Sequence, residues 1–147
     1  MPISRLDTQT LFHIDLEWFG KNGRDLREEM YDAFCHECKG HYPTLESTRA
    51  VDRVHPQTAQ VTRVDALWEC LVDHCGLQAD FITPALPIRS AIFRAFLAAA
   101  NRPMSSEQLY KRIGKSNAAG ILKLLTSGEI ENGILPVENQ PAVGSKQ

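Results

Sequence analysis

The chain has 147 residues, of which 43% are hydrophobic and 23% charged, and its formal net charge is −2 at pH 7. This length suits one domain or two very small ones, and the composition is ordinary for a globular protein. No apolar run approaches the roughly 20 residues of a membrane span, and the first ten residues lack the apolar segment of a secretory signal. We therefore expect a cytoplasmic protein whose four cysteines are thiols or metal ligands and not disulfides.

The charge is distributed unevenly along the chain. Residues 1–85 contain eight Lys or Arg and fourteen Asp or Glu, whereas residues 86–147 contain eight Lys or Arg and four Asp or Glu. The first part therefore has a net charge of −6 and the second a net charge of +4. A basic half can indicate an anionic partner, although a difference of this size also arises by chance.

The N-terminal part begins with patterns for a strand and a helix. Phe12, Ile14 and Leu16 alternate with polar residues, and this period of two favours a short strand. A turn at residues 21–23 follows. Residues 24–34 then place apolar side chains on one face, which predicts a helix.

A hairpin and a second helix are predicted next. Residues 51–55 and 60–64 flank a four-residue segment that begins with Pro56, as expected for a β-hairpin. Residues 65–75 have an apolar stripe at helical spacing and precede a glycine, which is a typical helix stop. Residues 77–87 contain two prolines and are predicted to be a linker.

Cys35 and Cys38 give the sharpest chemical signal in the sequence. Two thiolates at this spacing can chelate one metal ion from a single turn, and we expect Gly40 to let the backbone curl around it. Zinc in structural sites prefers four tetrahedral sulfur or nitrogen ligands. The other two ligands would be Cys70 and Cys75, so the first predicted ligand set consists of four cysteines.

Helical geometry leaves a second ligand set open. Cys70 and His74 are four residues apart and share a helical face, whereas Cys75 lies about 140° around the axis from Cys70. A Cys3His site with His74 as the fourth ligand is therefore an alternative. The all-cysteine set requires the helix to fray at its C-terminal end. His36 and His41 are further potential ligands.

Two metal-free interpretations also stay open. The cysteines can be small buried residues, which free cysteine often is, or Cys35 and Cys38 can be a redox pair. The redox interpretation is disfavoured because no βαβ pattern surrounds the pair and Cys35 follows a predicted helix instead of starting one. A bound metal would be structural, because cross-linking a long loop would help short elements to fold.

The C-terminal part predicts three helices in succession. Residues 88–100 carry a continuous apolar face. The second helix starts at Ser105, which forms a capping box with Gln108, and ends at Gly114. The third opens at residue 116 or 117 and ends at Ser127-Gly128.

A β-element is predicted after the third helix. Residues 129–135 alternate around an Asn-Gly turn, which indicates a short hairpin or one strand of a wing. Three helices, with a short connection between the second and the third and with a β-element after them, resemble the winged helix-turn-helix family over residues 86–137. In that family the third helix usually enters the DNA major groove, and the wing contacts the backbone.

The resemblance implies a set of nucleic-acid contacts on the second and third helices. These candidates are Lys111 and Arg112 for phosphates, and Lys115, Ser116, Asn117 and Lys123 for the groove. The third helix departs from a base-reading surface because it is poor in Arg, Gln and Asn. The glutamates of the wing would also repel phosphates. A protein partner is therefore an alternative to DNA.

No familiar catalytic constellation is present in the sequence. It contains no Gly-rich phosphate loop, no G-x-S-x-G elbow and no HExxH motif. We therefore predict that the chain is not an enzyme, and a small metal-dependent enzyme is the third hypothesis.

The sequence as a whole predicts an α+β, mostly helical protein. Residues 1–85 would form a Cys-containing, zinc-stabilised α+β module, 86–137 a winged-helix-like module and 138–147 a disordered tail. The predicted function is nucleic-acid binding of the transcription-regulator type, with DNA as partner and no membrane association. The alternative is a protein-interaction adaptor that uses the winged helix or the acidic N-terminal half.

Overall fold

A computed structural model of the chain describes residues 6–138, so the tail predicted for 138–147 lies outside the described residues except for Glu138. The α-helices of this range are α1 (Trp18–Lys21), α2 (Leu26–Asp32), α3 (His36–His41), α4 (Ala66–Asp73), α5 (Ile88–Ala98), α6 (Ser106–Ile113) and α7 (Ala118–Thr126). The strands are β1 (Leu11–Ile14), β2 (Val51–Val54), β3 (Val61–Val64), β4 (Met104–Ser105) and β5 (Ile134–Pro136). The fold is therefore mixed α+β with more helix than strand, as predicted. Within the described part of the chain, each helix is too short or too polar to span a membrane.

The first strand lies in the middle of a three-stranded antiparallel sheet. The strand order is β4-β1-β5, with Phe12 opposite Met104 and Ile14 opposite Ile134. The side-chain amide of Asn101 caps this strand, because its Oδ1 accepts from the Ile14 N–H at 2.8 Å and its Nδ2 donates to the Ile14 carbonyl at 2.9 Å. The strand ends there, so the predicted alternation through residue 16 extends too far.

One hydrophobic core joins the N-terminal and C-terminal parts. Phe12 and Leu67 from the first part are fully buried in the same cluster as Phe96, Leu109 and Ile121 from the second. The predicted division into two modules stays a prediction. In the structure the three-stranded sheet and the core each contain residues from both predicted modules.

Ion pairing and capping fix the N-terminal helices. Asp25 caps α2 by accepting from the backbone N–H groups of Arg27 and Glu28, and Asp65 caps α4. The Arg27 guanidinium binds both carboxylate oxygens of Asp65, at 2.6 and 3.0 Å, and so links α2 to α4. The predicted β-hairpin is confirmed as β2–β3, with Val51 opposite Val64, and Arg53 of β2 forms an ion pair with Glu69 of α4.

Helices α6 and α7 begin and end at the residues that the sequence indicates, whereas α5 ends at Ala98, two residues before its predicted end. Ser105 and Gln108 form both hydrogen bonds of the capping box on α6, and Gly114 ends it with a left-handed φ of 74°. Asn117 caps α7. Of the two alternatives predicted for residues 129–135, a hairpin or one strand, a single strand forms, β5, and it pairs with β1.

Candidate metal centre

Four metal-ligand side chains converge where α3 begins and α4 ends. One ligand atom from each of Cys35, Cys38, His74 and Cys75 lies within 4.8 Å of the other three. Cys35 is the N-cap of α3 and Cys38 lies one turn further on, so the two sulfurs face the same side. His74 and Cys75 follow α4 directly. The group therefore spans two segments that are almost 40 residues apart in sequence.

The segment around Cys35 forms helix α3, and Gly40 lies inside this helix without a left-handed backbone. The helical turn itself brings Cys35 and Cys38 together, and the expected curl at Gly40 is wrong. Cys35 also starts a helix, so one of the two arguments against a redox pair does not hold.

The second pair of ligands depends on where α4 ends. The prediction extended this helix to Cys75, but it stops at Asp73. His74 leaves the helical region with φ −134° and ψ −69°, and a 3-10 turn covers Cys75–Leu77. The Cys75 side chain therefore does not point where a continued α-helix would direct it, and its sulfur lies in the group. Cys70 lies beside Cys38 and influences its ionisation, but it is not one of the four mutually close donors.

The observed separations fit a tetrahedral zinc ion. Zinc bonds of about 2.3 Å to sulfur and about 2.0 Å to nitrogen place two sulfur ligands about 3.8 Å apart, and sulfur and nitrogen about 3.5 Å apart. The Cys35 and Cys75 sulfurs are 3.6 Å apart. His74 Nδ1 lies 3.4 Å from the sulfurs of Cys35 and Cys38. The donor set of three thiols and one imidazole is also one that zinc prefers.

The other ring nitrogen of His74 has the partner expected of a metal-bound histidine. Its Nε2 lies 3.3 Å from a carboxylate oxygen of Glu37. Histidines that bind a metal through one nitrogen usually donate the other N–H to a carboxylate, which fixes the tautomer and the ring orientation. This contact leaves Nδ1 facing the sulfurs of Cys35 and Cys38, with the Gln78 amide also 3.3 Å from it.

Two further hydrogen bonds reach the sulfurs from the protein. The amide of Gln78 donates to Cys35 Sγ at 3.6 Å, and the backbone N–H of Cys35 donates to Cys75 Sγ at 3.3 Å. Neither Glu37 nor Gln78 was predicted as part of the site. Gln78 has no local signal in the sequence, whereas Glu37 lies inside the C-x2-C motif.

The pKa values of the four cysteine thiols are shifted in different directions. Burial opposes ionisation of Cys35, but the backbone N–H of Cys38 and the neighbouring Cys75, Cys38 and His74 side chains lower its pKa to about 7. Burial is the main reason why the pKa values of Cys38, Cys70 and Cys75 are raised. Metal binding to this group would therefore displace protons from Cys38 and Cys75, since thiolates are the ligands.

An open cleft leads from the surface to this group. It has a volume of about 410 Å³, and Cys35 and Cys75 line it together with Phe34, Gln78 and Phe81. Cys35 is half-buried, whereas Cys75 is fully buried. The group is thus shielded by the fold on most sides and approachable on the Cys35 side.

The six predicted nucleic-acid contacts fall into two groups. Arg112 donates to the Gly76 carbonyl at 3.0 Å, and Lys115 donates to the Leu86 carbonyl at 2.6 Å. Asn117 accepts from the backbone N–H of residue 120 as the cap of α7. These three side chains are therefore engaged within the protein. Lys111, Ser116 and Lys123 are exposed, as are Arg112 and Asn117, whereas Lys115 is half-buried.

Comparison with known protein-family models, with curated proteins and with solved structures finds no match for this chain. The winged-helix resemblance therefore stays a prediction.

Proposed function

We propose that this chain is a zinc-stabilised protein that binds nucleic acid through its C-terminal three-helix part. The observation that carries the proposal is the group of Cys35, Cys38, His74 and Cys75, whose spacing matches a tetrahedral zinc ion. The contact between His74 and Glu37 supports the same assignment.

A structural role for the metal follows from the ligand count and from the elements that it would join. Four protein ligands complete a tetrahedral shell, whereas catalytic zinc keeps one position for water. The metal would link the start of α3 to the end of α4, both of which are short helices. Cross-linking such short elements adds the free energy of metal binding to the free energy of folding.

Native mass spectrometry tests the metal assignment on protein purified without added metal or an affinity tag. We expect one zinc ion per chain. The Cys38→Ser variant should lose the metal and become less stable, whereas Cys70→Ser, a matched change at a neighbouring cysteine outside the group, should keep it. Zinc retained by Cys38→Ser, or lost from Cys70→Ser, would contradict the proposed ligand set.

Charge and helix arrangement support nucleic acid as the partner. Residues 86–147 have a net charge of +4, and the tight connection between α6 and α7 is the one typical of helix-turn-helix proteins. Because Arg112 and Lys115 are engaged within the protein, the proposal rests mainly on the exposed Lys111 and Lys123. Contacts of this kind would be to phosphates and would carry little sequence information.

Fluorescence anisotropy with a mixed-sequence DNA duplex tests this part at several salt concentrations. We expect the affinity to fall steeply as the salt concentration rises. Lys111→Glu and Lys123→Glu should each reduce the slope of log affinity against log salt concentration by about one. Lys21→Glu makes the same charge change on the exposed part of α1 and should have a much smaller effect. Binding that is absent, or equally weakened by all three variants, would refute the nucleic-acid proposal.

A protein-interaction adaptor is the second candidate, and the β2–β3 hairpin favours it. Val54 and Val61 lie opposite each other on this hairpin and are 62% and 56% exposed. An exposed cross-strand pair of valines is suited to an apolar partner. The DNA titration separates the two candidates, because the adaptor predicts no salt-sensitive DNA binding.

A further inference from the structure

Two of the three sulfurs in the proposed ligand set, those of Cys35 and Cys75, are adjacent, and Cys35 is partly exposed. The Cys35 and Cys75 sulfurs are 3.6 Å apart, and both residues line the open cleft beside α3. Cys38 is not among the residues that line this cleft. A small molecule that enters the cleft therefore meets Cys35 first, because Cys35 is the more exposed of the two cysteines in its wall.

We propose that Cys35 is a site of oxidation by hydroperoxides, and that its oxidation closes a Cys35–Cys75 disulfide and releases the metal. The inference rests on the proposed metal site and adds a means of regulating it. It stands on the sulfur separation and on the cleft, and these are features of the protein fold itself.

The chemistry has two steps. The Cys35 thiolate attacks one oxygen of the hydroperoxide, so that a sulfur–oxygen bond forms, the oxygen–oxygen bond breaks and a hydroxide or alkoxide leaves and takes up a proton. Sulfur is oxidised by two electrons and the peroxide is reduced. The Cys75 thiolate then attacks the Cys35 sulfenic sulfur, which forms the disulfide and expels hydroxide, and a second proton converts this to water.

Cys75 is the expected partner because its sulfur lies 3.6 Å from that of Cys35 and both residues line the same cleft. A disulfide requires about 2.05 Å between the sulfurs, so closing the pair shortens the present separation by about 1.5 Å. Cys70 lies outside the group of mutually close ligand atoms. Disulfide formation removes two of the four ligands, and the remaining cysteine and histidine cannot complete a tetrahedral zinc shell.

The test uses the full chain with Cys70→Ser, which leaves one cysteine in each relevant peptide. Cleavage after glutamate places Cys35 in peptide 30–37, Cys38 in 38–46 and Cys75 in 70–107. Zinc is quantified before the reaction, and this value tests the metal site independently. Hydrogen peroxide is then added in small excess, and zinc release is followed with a colorimetric chelator beside peptide mapping.

The expected result is one zinc ion released per chain, together with a cross-link between peptides 30–37 and 70–107 that thiol reductants reverse. With both Cys38 and Cys75 replaced by serine, the reaction should instead stop at a Cys35 sulfenic acid, which a dimedone probe traps. A disulfide between Cys35 and Cys38, a Cys38–Cys75 cross-link, or intact thiols under these conditions would each overturn the inference. If the starting protein contains no zinc, the metal proposal fails, while the peptide map still decides whether Cys35 and Cys75 form the disulfide.

Discussion

Replacing Glu37 by glutamine removes the carboxylate that faces His74 while leaving every proposed ligand in place. The Glu37 oxygen lies 3.3 Å from His74 Nε2, and the glutamate side chain is 66% exposed. Loss of such a partner typically weakens metal binding 10- to 100-fold, and water can partly replace an exposed carboxylate. We therefore expect a loss near the lower limit, about tenfold or about 1.4 kcal/mol.

Competition with a zinc chelator measures this affinity directly, and thermal unfolding gives a second readout. At saturating zinc a tenfold weaker site reduces the stability of the metal-bound protein by about 1.4 kcal/mol, and the metal-free protein should be unchanged. Glu28→Gln, on the exposed part of α2, is the matched control and should leave the affinity unaltered. Equal affinities of Glu37→Gln and wild type would refute the role assigned to the histidine–carboxylate contact.

Three further predictions concern the fold that supports the site. Gly76→Ala should destabilise the protein by about 1–3 kcal/mol in urea unfolding, because a Cβ at Gly76 would lie 2.6 Å from the Leu71 carbonyl oxygen. Gly40 has open space around it, so Gly40→Ala should leave the stability unchanged or raise it. Equal changes in stability for the two variants would contradict the packing described. Ser105→Ala should cost about 1 kcal/mol through loss of the α6 cap, and no change in the denaturation midpoint would contradict it. Asp65→Asn keeps a capping oxygen but loses the ion pair with Arg27, so it should cost about 1 kcal/mol at pH 7. The Arg27 hydrogen bond lowers the pKa of Asp65 below its ordinary value of 3.8. The stability that the ion pair contributes is therefore present above pH 3.8 and is lost as the pH falls through the lowered pKa. A difference in stability between Asp65→Asn and wild type that persists in strong acid would contradict this assignment.

Features specified by short stretches of sequence were predictable. The capping box at Ser105 and Gln108, the stop at Gly114 and the start of α7 at residue 116 or 117 depend on residues at most three positions apart. Each is set by the hydrogen bonds of one helix end, so the sequence around it is sufficient.

Features that depend on distant packing were not predictable in the same way. Strand β1 pairs with strands about 90 and 120 residues further along the chain, and no local pattern indicates these partners. Just after the end of α4, Gly76 packs so closely against Ala98 of α5 that a Cβ at Gly76 would lie 2.7 Å from the Ala98 Cβ. This contact lies directly beside Cys75, and it explains why helical spacing alone could not decide between the two proposed ligand sets.

X-ray absorption at the zinc edge tests the central claim most directly, because it reports the ligand atoms around the metal. The account predicts three sulfur ligands at about 2.3 Å and one nitrogen ligand at about 2.0 Å, with a spectrum unchanged in Cys70→Ser. Four sulfur ligands, or a spectrum that changes in Cys70→Ser, would contradict the Cys35, Cys38, His74 and Cys75 site.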